Sequence, residues 1–322
     1  MRTAKGLAAL ALTAAVLAAC GGSAATPAPT EAPTAAPVTP APTEAPTAAP
    51  TEAPTPDACA PENLATKTAG TLTIGTDNPA YPPYFDFPAD GETAATGWDL
   101  GDPTNGRGFE SAVAYAVAKQ LGFDAAKVTW LYTGFDASYA PGEKAFDFDI
   151  NQVSWTAERA AAVDMTDGYY TVNQALVAPK DSALAKVTSI AALKDFKLGA
   201  MAATTSYAFI ADTIAPTTEA SAYDSNDAAI AALTAGQVDG IVVDLPTAFF
   251  ITAVQYDKGA IVGQFAAPEG ADAEHFSMVL QQGSPLTACV NKALASLKAD
   301  GTLDSITQTW LADKANAPVF QP

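Results

Sequence analysis

From residue 70 onward, short apolar runs alternate with longer stretches in which apolar residues recur every third or fourth position. That alternation is the signature of strands interleaved with amphipathic helices. Leu72 to Gly75 predicts a strand; after a long loop, a helix from Phe109 to Leu121 presents Phe109, Val113 and Val117 on one face and stops at Gly122. Val128 to Tyr132 and Phe148 to Val153 predict two further strands. The order then repeats. Strands are predicted over 174–178 and 197–201, and helices over Thr205–Ile214, closed by Pro216, and Asp227–Ala235, closed by Gly236. A fully apolar strand from Val238 to Val243 runs into Asp244. A helix over 245–255, strands over 261–265 and 276–280, and helices over 286–298 and 302–311 around an Asp300-Gly301 turn complete the pattern. Strands that each lead into a loop or helix start make a parallel sheet with crossover helices. The repetition after Tyr170 predicts two α/β lobes rather than one barrel.

The first 56 residues follow a different pattern. Arg2 and Lys5 precede an apolar run from Leu7 to Leu17, and Leu17-Ala18-Ala19-Cys20 places small residues before a cysteine. This resembles a bacterial lipoprotein signal, with residues 1–19 removed and Cys20 lipidated. An ordinary secretory signal and a membrane-spanning helix are the alternatives, and the run is short for a span. Residues 20–58 are then expected to form a tether. Ala-Pro-Thr-Glu-Ala-Pro recurs at 28–33, 41–46 and 49–54, too proline-rich for helix or sheet. In extended polyproline form at about 3.1 Å per residue the stretch reaches on the order of 100 Å.

Composition narrows the chemistry. Half the residues (49%) are apolar and 16% charged, ordinary for a packed protein. Loss of Arg2 and Lys5 with the leader takes the 16 basic residues to 14 against 35 acidic ones, and the net charge from −19 to −21. Nucleic acid and anionic membrane surfaces are therefore disfavoured as partners. One histidine, His275 beside Phe276, and three cysteines without metal-ligand spacing argue against a His/Cys zinc site, a metal or other cofactor, and a His-based nucleophilic triad. With Cys20 lipidated, Cys59 and Cys289 remain. In an oxidising exterior an even pair is most simply a disulfide, the alternative being two buried thiols. Closing 230 positions contributes on the order of 5 kcal/mol in the chain-entropy account, and ties the start of the folded part to its last helices.

The most informative run is Asn151-Gln152-Val153-Ser154-Trp155-Thr156-Ala157-Glu158-Arg159. Thr156 as N-cap puts Arg159 in a first helical turn, where the dipole disfavours a cation unless an anion shares the site. A planar guanidinium donates two parallel bonds to a carboxylate; the bland alternative is a surface arginine paired with Glu158 or Asp164. Ala203-Thr204-Thr205-Ser206 starts a second helix and offers hydroxyls and N–H groups, which ordinary capping explains equally well. Asp244 ends a strand where a carboxylate faces a crevice or caps the helix that Pro246 begins. Arg159, Thr205 and Asp244 together match the carboxylate and ammonium ends of an amino acid. Aromatics cluster at Tyr81-Pro82-Pro83-Tyr84-Phe85 and Trp98, just after Asp77.

These residues resemble the polar amino-acid branch of bacterial extracellular solute-binding proteins, the capture components of ABC importers. The likeness runs from about Gly70 to Leu311. It is carried by Ile74-Gly75-Thr76-Asp77 with Tyr81 and Pro83, and by Gly108-Phe109-Glu110. Phe148-Asp149-Ile150 follows, leading into Ser154, Thr156, Glu158 and Arg159. Val163-Asp164, Tyr169-Tyr170, Gly199, Thr204-Thr205, Ala235 to Asp239, Asp244 and Lys298 to Thr302 complete it. The resemblance implies a two-lobe, type II periplasmic-binding fold, each lobe a mostly parallel sheet flanked by helices, with the ligand cleft between them. It implies lobe 1 over 59–172, lobe 2 over 173–277, a return to lobe 1 over 278–322, and a hinge at Tyr170–Asn173 and His275–Met278. Arg159 would hold the ligand carboxylate, helped by Thr205 and Ser206. Asp244 with Ser154 or Gln152 would hold the ammonium, Tyr81 would cover the side chain, and Asp77 and Met201 would complete the ligand set. Gln152, Trp155 and Ala203 depart from the small, aliphatic and glycine residues usual at these places, and 86–107 is longer than usual.

The implied protein is a monomer that captures an amino acid and passes it to the membrane permease subunits. Arg107 sits in a glycine-rich loop and Asp77 alone does not single out a cation, so a polar uncharged amino acid is favoured. Two alternatives compete. One is a secreted dehydratase on the same fold, for which Glu110 and Glu158 are the available acids, although both read as exposed helix residues. The other is a sensing lobe for a signalling receptor.

Overall fold

The computed structural model describes residues 57–267, 272–311 and 317–321; the leader, Cys20 and nearly all of the tether lie outside them. Two five-stranded sheets organise the rest. In the first, β1 (Leu72–Thr76) lies parallel to both β2 (Val128–Tyr132) and β3 (Phe148–Asp149). β12 (Val279–Leu280) runs antiparallel to β3 and to β4 (Asp164–Met165) at the edge. Helices α1 (Phe109–Gln120), α7 (Thr287–Ala299) and α8 (Thr302–Leu311) pack together beside it, and Leu72, Ile74, Phe109, Val113, Val117, Phe148, Val290 and Leu294 share one core. Cys59 and Cys289 are disulfide-bonded, with Cα atoms 5.3 Å apart, which fastens the first described residues to α7.

The second sheet has the order β10-β6-β9-β7-β8, formed by β6 (Gln174–Pro179), β7 (Leu198–Met201), β8 (Ser221–Tyr223), β9 (Gly240–Asp244) and β10 (Gly259–Phe265). It is covered on both faces, so its strands read as continuous apolar runs. Ala175, Val177, Ile241 and Val243 face one cluster; Leu176, Ala178 and Val242 face the other. Helices α4 (Thr205–Ala208), α5 (Asn226–Thr234) and α6 (Leu245–Phe250) connect the strands, and α4 and α6 continue as π-helical turns over Phe209–Ile214 and Ile251–Gln255.

Three expectations are corrected. Both sheets are mixed rather than mostly parallel, because β6 and β12, the strands that leave the crossing points, run against the strands that β–α connections place. The strand expected over 148–153 stops at Asp149, since Gln152 adopts a left-handed φ of 49° that turns the chain out of the sheet. Residues 278–322 do not all return to the first lobe. Val319 bridges Gln264 and Phe320 packs on Phe265 with ring centroids 4.7 Å apart, both on β10, and Gln321 bridges Ser189 between β6 and β7. The apolar Pro-Val-Phe run finds an open edge beside β10 and fills it.

Between the lobes, β5 (Tyr170–Thr171) pairs antiparallel with β11 (His275–Phe276), so two crossing segments lie side by side. Ser154 adds a bridge to Phe276.

Candidate functional site

A cavity of about 470 Å³ opens between the two sheets, lined from the first by Asp77, Tyr81, Gln152, Ser154 and Arg159 and from the second by Met201, Thr205, Ser206 and Asp244. All nine ligand-set residues expected from the sequence therefore face one space.

Arg159 lies on the six-residue helix α3 (Ala157–Ala162), where Thr156 accepts its backbone N–H at 3.1 Å, a side-chain cap. Its side chain is 7% exposed. Nη1 donates to the Ser154 carbonyl at 2.6 Å and Nη2 crosses the cleft to the Ala203 carbonyl at 2.9 Å. The guanidinium carbon stands 4.3 Å from the Tyr139 ring centroid and 5.4 Å from that of Phe135, both on α2 (Phe135–Tyr139). Neither bland partner holds it. Glu158 is exposed, while Asp164 accepts from the Gly283 N–H and the Thr287 hydroxyl. Among the described residues the ion pairs are Arg107–Asp86 and Lys292–Asp57, both at the surface.

Asp244 stands at the cleft end of β9, opposite Gln174 in the sheet register. It precedes α6 but makes no side-chain cap. Instead one oxygen accepts from Gln174 Nε2 at 2.8 Å. Burial, with nearby Glu274 adding to it, raises its carboxyl well above the usual range. On the same wall Thr204 performs the capping, accepting the Tyr207 N–H, so Thr205 is left to face Ser154, oxygen to oxygen at 3.4 Å. Ser206 donates to Gln174 Oε1 at 2.5 Å.

Several groups were not legible in the sequence. Gln174, 3% exposed, joins Asp244, Ser206 and Glu274 through its amide, and Glu274 accepts from the Ser154 hydroxyl at 2.6 Å. The Tyr139 hydroxyl donates to the same Ala203 carbonyl as Arg159, at 3.1 Å. Asn151 lines the cavity with its Nδ2 buried and unpartnered. Asp136 and Asp224 add carboxylates at the cavity wall. Asp77 is raised by burial, with Asp136 adding to it, and the Tyr81 phenol is raised by burial, its ring set edge-on to Phe250 across the cleft at 6.5 Å.

Two sequence expectations change here. Gln152 faces the cavity, but its amide nitrogen is committed to Glu110, and its backbone N–H donates to the same carboxylate at 2.7 Å. Glu110 is not an exposed helix residue; it is fully buried, accepting also from the Tyr169 hydroxyl. Residues 110, 114 and 118 form a second buried row on α1 beside that of Phe109. The two alanines in that row are too small to mark it as apolar.

Residues 72–313 match the bacterial extracellular solute-binding proteins, family 3. The L-cystine-binding protein TcyJ of Escherichia coli (strain K12) is 28% identical over 247 residues, covering 76% of this chain and 84% of its own. Among solved structures, an ancestral arginine-binding protein bound to glutamine superposes with a TM-score of 0.58 at 27% identity, covering 76% of this chain and 98% of its own. The ancestral amino acid-binding protein AncCDT-1, a precursor of cyclohexadienyl dehydratase, gives 0.58 at 28% identity, over 75% and 95% of the two chains. With a cleft between two α/β lobes and a family match over three-quarters of its length, the chain belongs to family 3 of the bacterial extracellular solute-binding proteins.

Proposed function

We propose that this protein captures an amino acid by closing its two lobes over the cleft and delivers it to the permease subunits of an ABC importer, held at the outer face of the membrane through lipid on Cys20. The observation that carries the reading is Arg159, a nearly buried guanidinium with no carboxylate partner among the described residues, opposite Asp244 on the other lobe. In this reading Arg159 takes the ligand carboxylate, with Thr205 and Ser206 beside it, and Asp244 takes the ammonium near Glu274 and Ser154. An arriving ammonium stabilises the ionised form of Asp244, offsetting the burial that raises its pKa. Lobe closure follows from differential affinity, because only the closed form brings both walls to the ligand.

For the side chain, Asp77 alone left a polar uncharged group favoured. Asp136 beside Asp77, and Asp224 from the second lobe, also line the cavity, with Arg159 as the cation facing it among its described residues. That balance supports a ligand carrying a second positive group. A thermal-shift screen of the ligand-stripped protein against L-amino acids tests this: arginine, lysine or cystine is expected to raise the midpoint, since a ligand at 100 times its Kd adds about 2.7 kcal/mol. A response only to glutamine, asparagine or serine restores the polar uncharged preference, and no response to any amino acid rejects the capture reading. Arg159→Ala is expected to lower affinity by about 30-fold or more while leaving the unliganded protein folded. Near-normal affinity in that variant removes Arg159 from the site.

The second reading, a dehydratase, rests on the likeness to AncCDT-1, itself an amino acid-binding protein and a precursor of such an enzyme, and on two neighbouring acids, Asp244 and Glu274, that share the Gln174 amide. Turnover of a cyclic carboxylate by the purified protein would establish it.

A further inference from the structure

A buried polar cluster that ligand capture leaves unused lies behind the cleft wall. Glu110, in the first turn of α1, is held by its backbone N–H to the Tyr84 carbonyl at 2.9 Å and has no solvent exposure. Three donors converge on its carboxylate: the Gln152 N–H, the Gln152 side-chain amide and the Tyr169 hydroxyl. Gln152 needs such anchoring. Its φ of 49° lies in the left-handed region, which costs a non-glycine residue on the order of 1 kcal/mol. The turn it makes sets Ser154, whose carbonyl accepts from Arg159 and whose hydroxyl meets Glu274. Tyr169 precedes the crossing strand β5, so the same carboxylate also touches the start of the hinge.

We propose that Glu110 is the positioning residue of the capture site, its ionised carboxylate fixing the Gln152 turn and thereby setting Ser154 and Arg159 for the ligand. This rests on the capture reading above for what is positioned, but the turn itself is testable without ligand. A carboxylate accepts all three bonds, whereas a carboxylic acid must place an O–H among three donors and displaces one of them. Burial raises Glu110 to about 7, against the lowering effect of Tyr169 and Gln152. Its titratable neighbours on other elements are Asp149 on β3, Asp244 on β9, Tyr84 and Tyr169, and burial raises each of them above its usual range. Acidification through neutrality therefore releases the turn and weakens capture.

The sign for stability is opposite. A carboxyl whose folded pKa is raised contributes stability that is present at low pH and lost as pH rises through about 7. Through Glu110, mild acid strengthens the fold while it weakens binding, which a merely structural role does not produce.

The test follows the Gln152 amide resonance in the whole, ligand-free chain. It should titrate with a midpoint near pH 7 and lie flat in Glu110→Gln. Tyr169→Phe, which removes a donor to the charged form, should move the midpoint upward, and it serves where Glu110→Gln does not fold. With L-arginine as probe, affinity should fall by about tenfold from pH 8 to pH 6, one pKa unit of coupling, and this step should vanish in Glu110→Gln. An amide that does not titrate between pH 5 and 9, or an affinity step that survives in Glu110→Gln, overturns the proposal. If L-arginine does not bind at all, the cationic-ligand reading fails and the amide titration still decides the role of Glu110.

Discussion

At residue scale, two walls of the cleft turn on left-handed residues that are not glycine, Gln152 at 49° and Ala203 at 59°. They differ in what the side chain returns. Gln152 gains two bonds to Glu110 for its strain, whereas Ala203 uses only its carbonyl, shared by Arg159 and Tyr139. Removing the Ala203 Cβ therefore costs no contact that those bonds need. Ala203→Gly is expected to raise unfolding stability by about 1 kcal/mol with ligand choice unchanged, measured by urea denaturation and a binding screen; a loss of stability would show that the Cβ packs usefully. Cavity-lining residues such as Arg159 and Asp244 were readable because they stand at structural punctuation marks, Arg159 after a capping threonine and Asp244 at a strand end. Gln174 and Glu274 carried no such mark. What places them is the register of β6 against β9 and the course of a crossing segment, and neither is encoded locally.

At the scale of elements, periodicity located α1, the paired C-terminal helices and the apolar strands of the second sheet, since each buries a face that repeats at its own spacing. It did not locate β4, β5 or α2. These are short pieces whose positions come from neighbours rather than from their own pattern. The C-terminal Pro318-Val319-Phe320-Gln321 strip was likewise given to the wrong lobe. Its attachment is specific: the Gln264 N–H donates to the Pro318 carbonyl and the Gln264 carbonyl accepts from the Phe320 N–H, while the Gln321 N–H and C=O pair with Thr188 and Ile190. Phe320, 6% exposed, fills a slot between Phe265 and Gly263, where any added side chain at 263 would strike its ring. Phe320→Ala is expected to destabilise the second lobe by about 3 kcal/mol, seen as earlier hydrogen exchange there. Unchanged exchange would mean that the strip is dispensable to that lobe.

For the whole molecule, the disposition of charge matters more than any pair. The chain carries −19 by sequence, and the carboxylates of the cleft belong to the same sign. Such a field draws a cation toward the opening and weakens as salt screens it over about 10 Å at 0.1 M. Stopped-flow association of arginine is expected to slow as ionic strength rises, with dissociation nearly constant. An association rate indifferent to salt would locate recognition wholly in the closed cleft and count against a cationic ligand.

The docking of residues 317–321 has a practical meaning. The disulfide fastens the start of the folded chain to one lobe, and the strip beside β10 fastens its end to the other. The two ends are therefore separate handles on the two moving bodies. Fluorescent proteins fused at residue 57 and after residue 322 would convert capture into a change of energy transfer, making the chain a ready optical sensor for its own ligand.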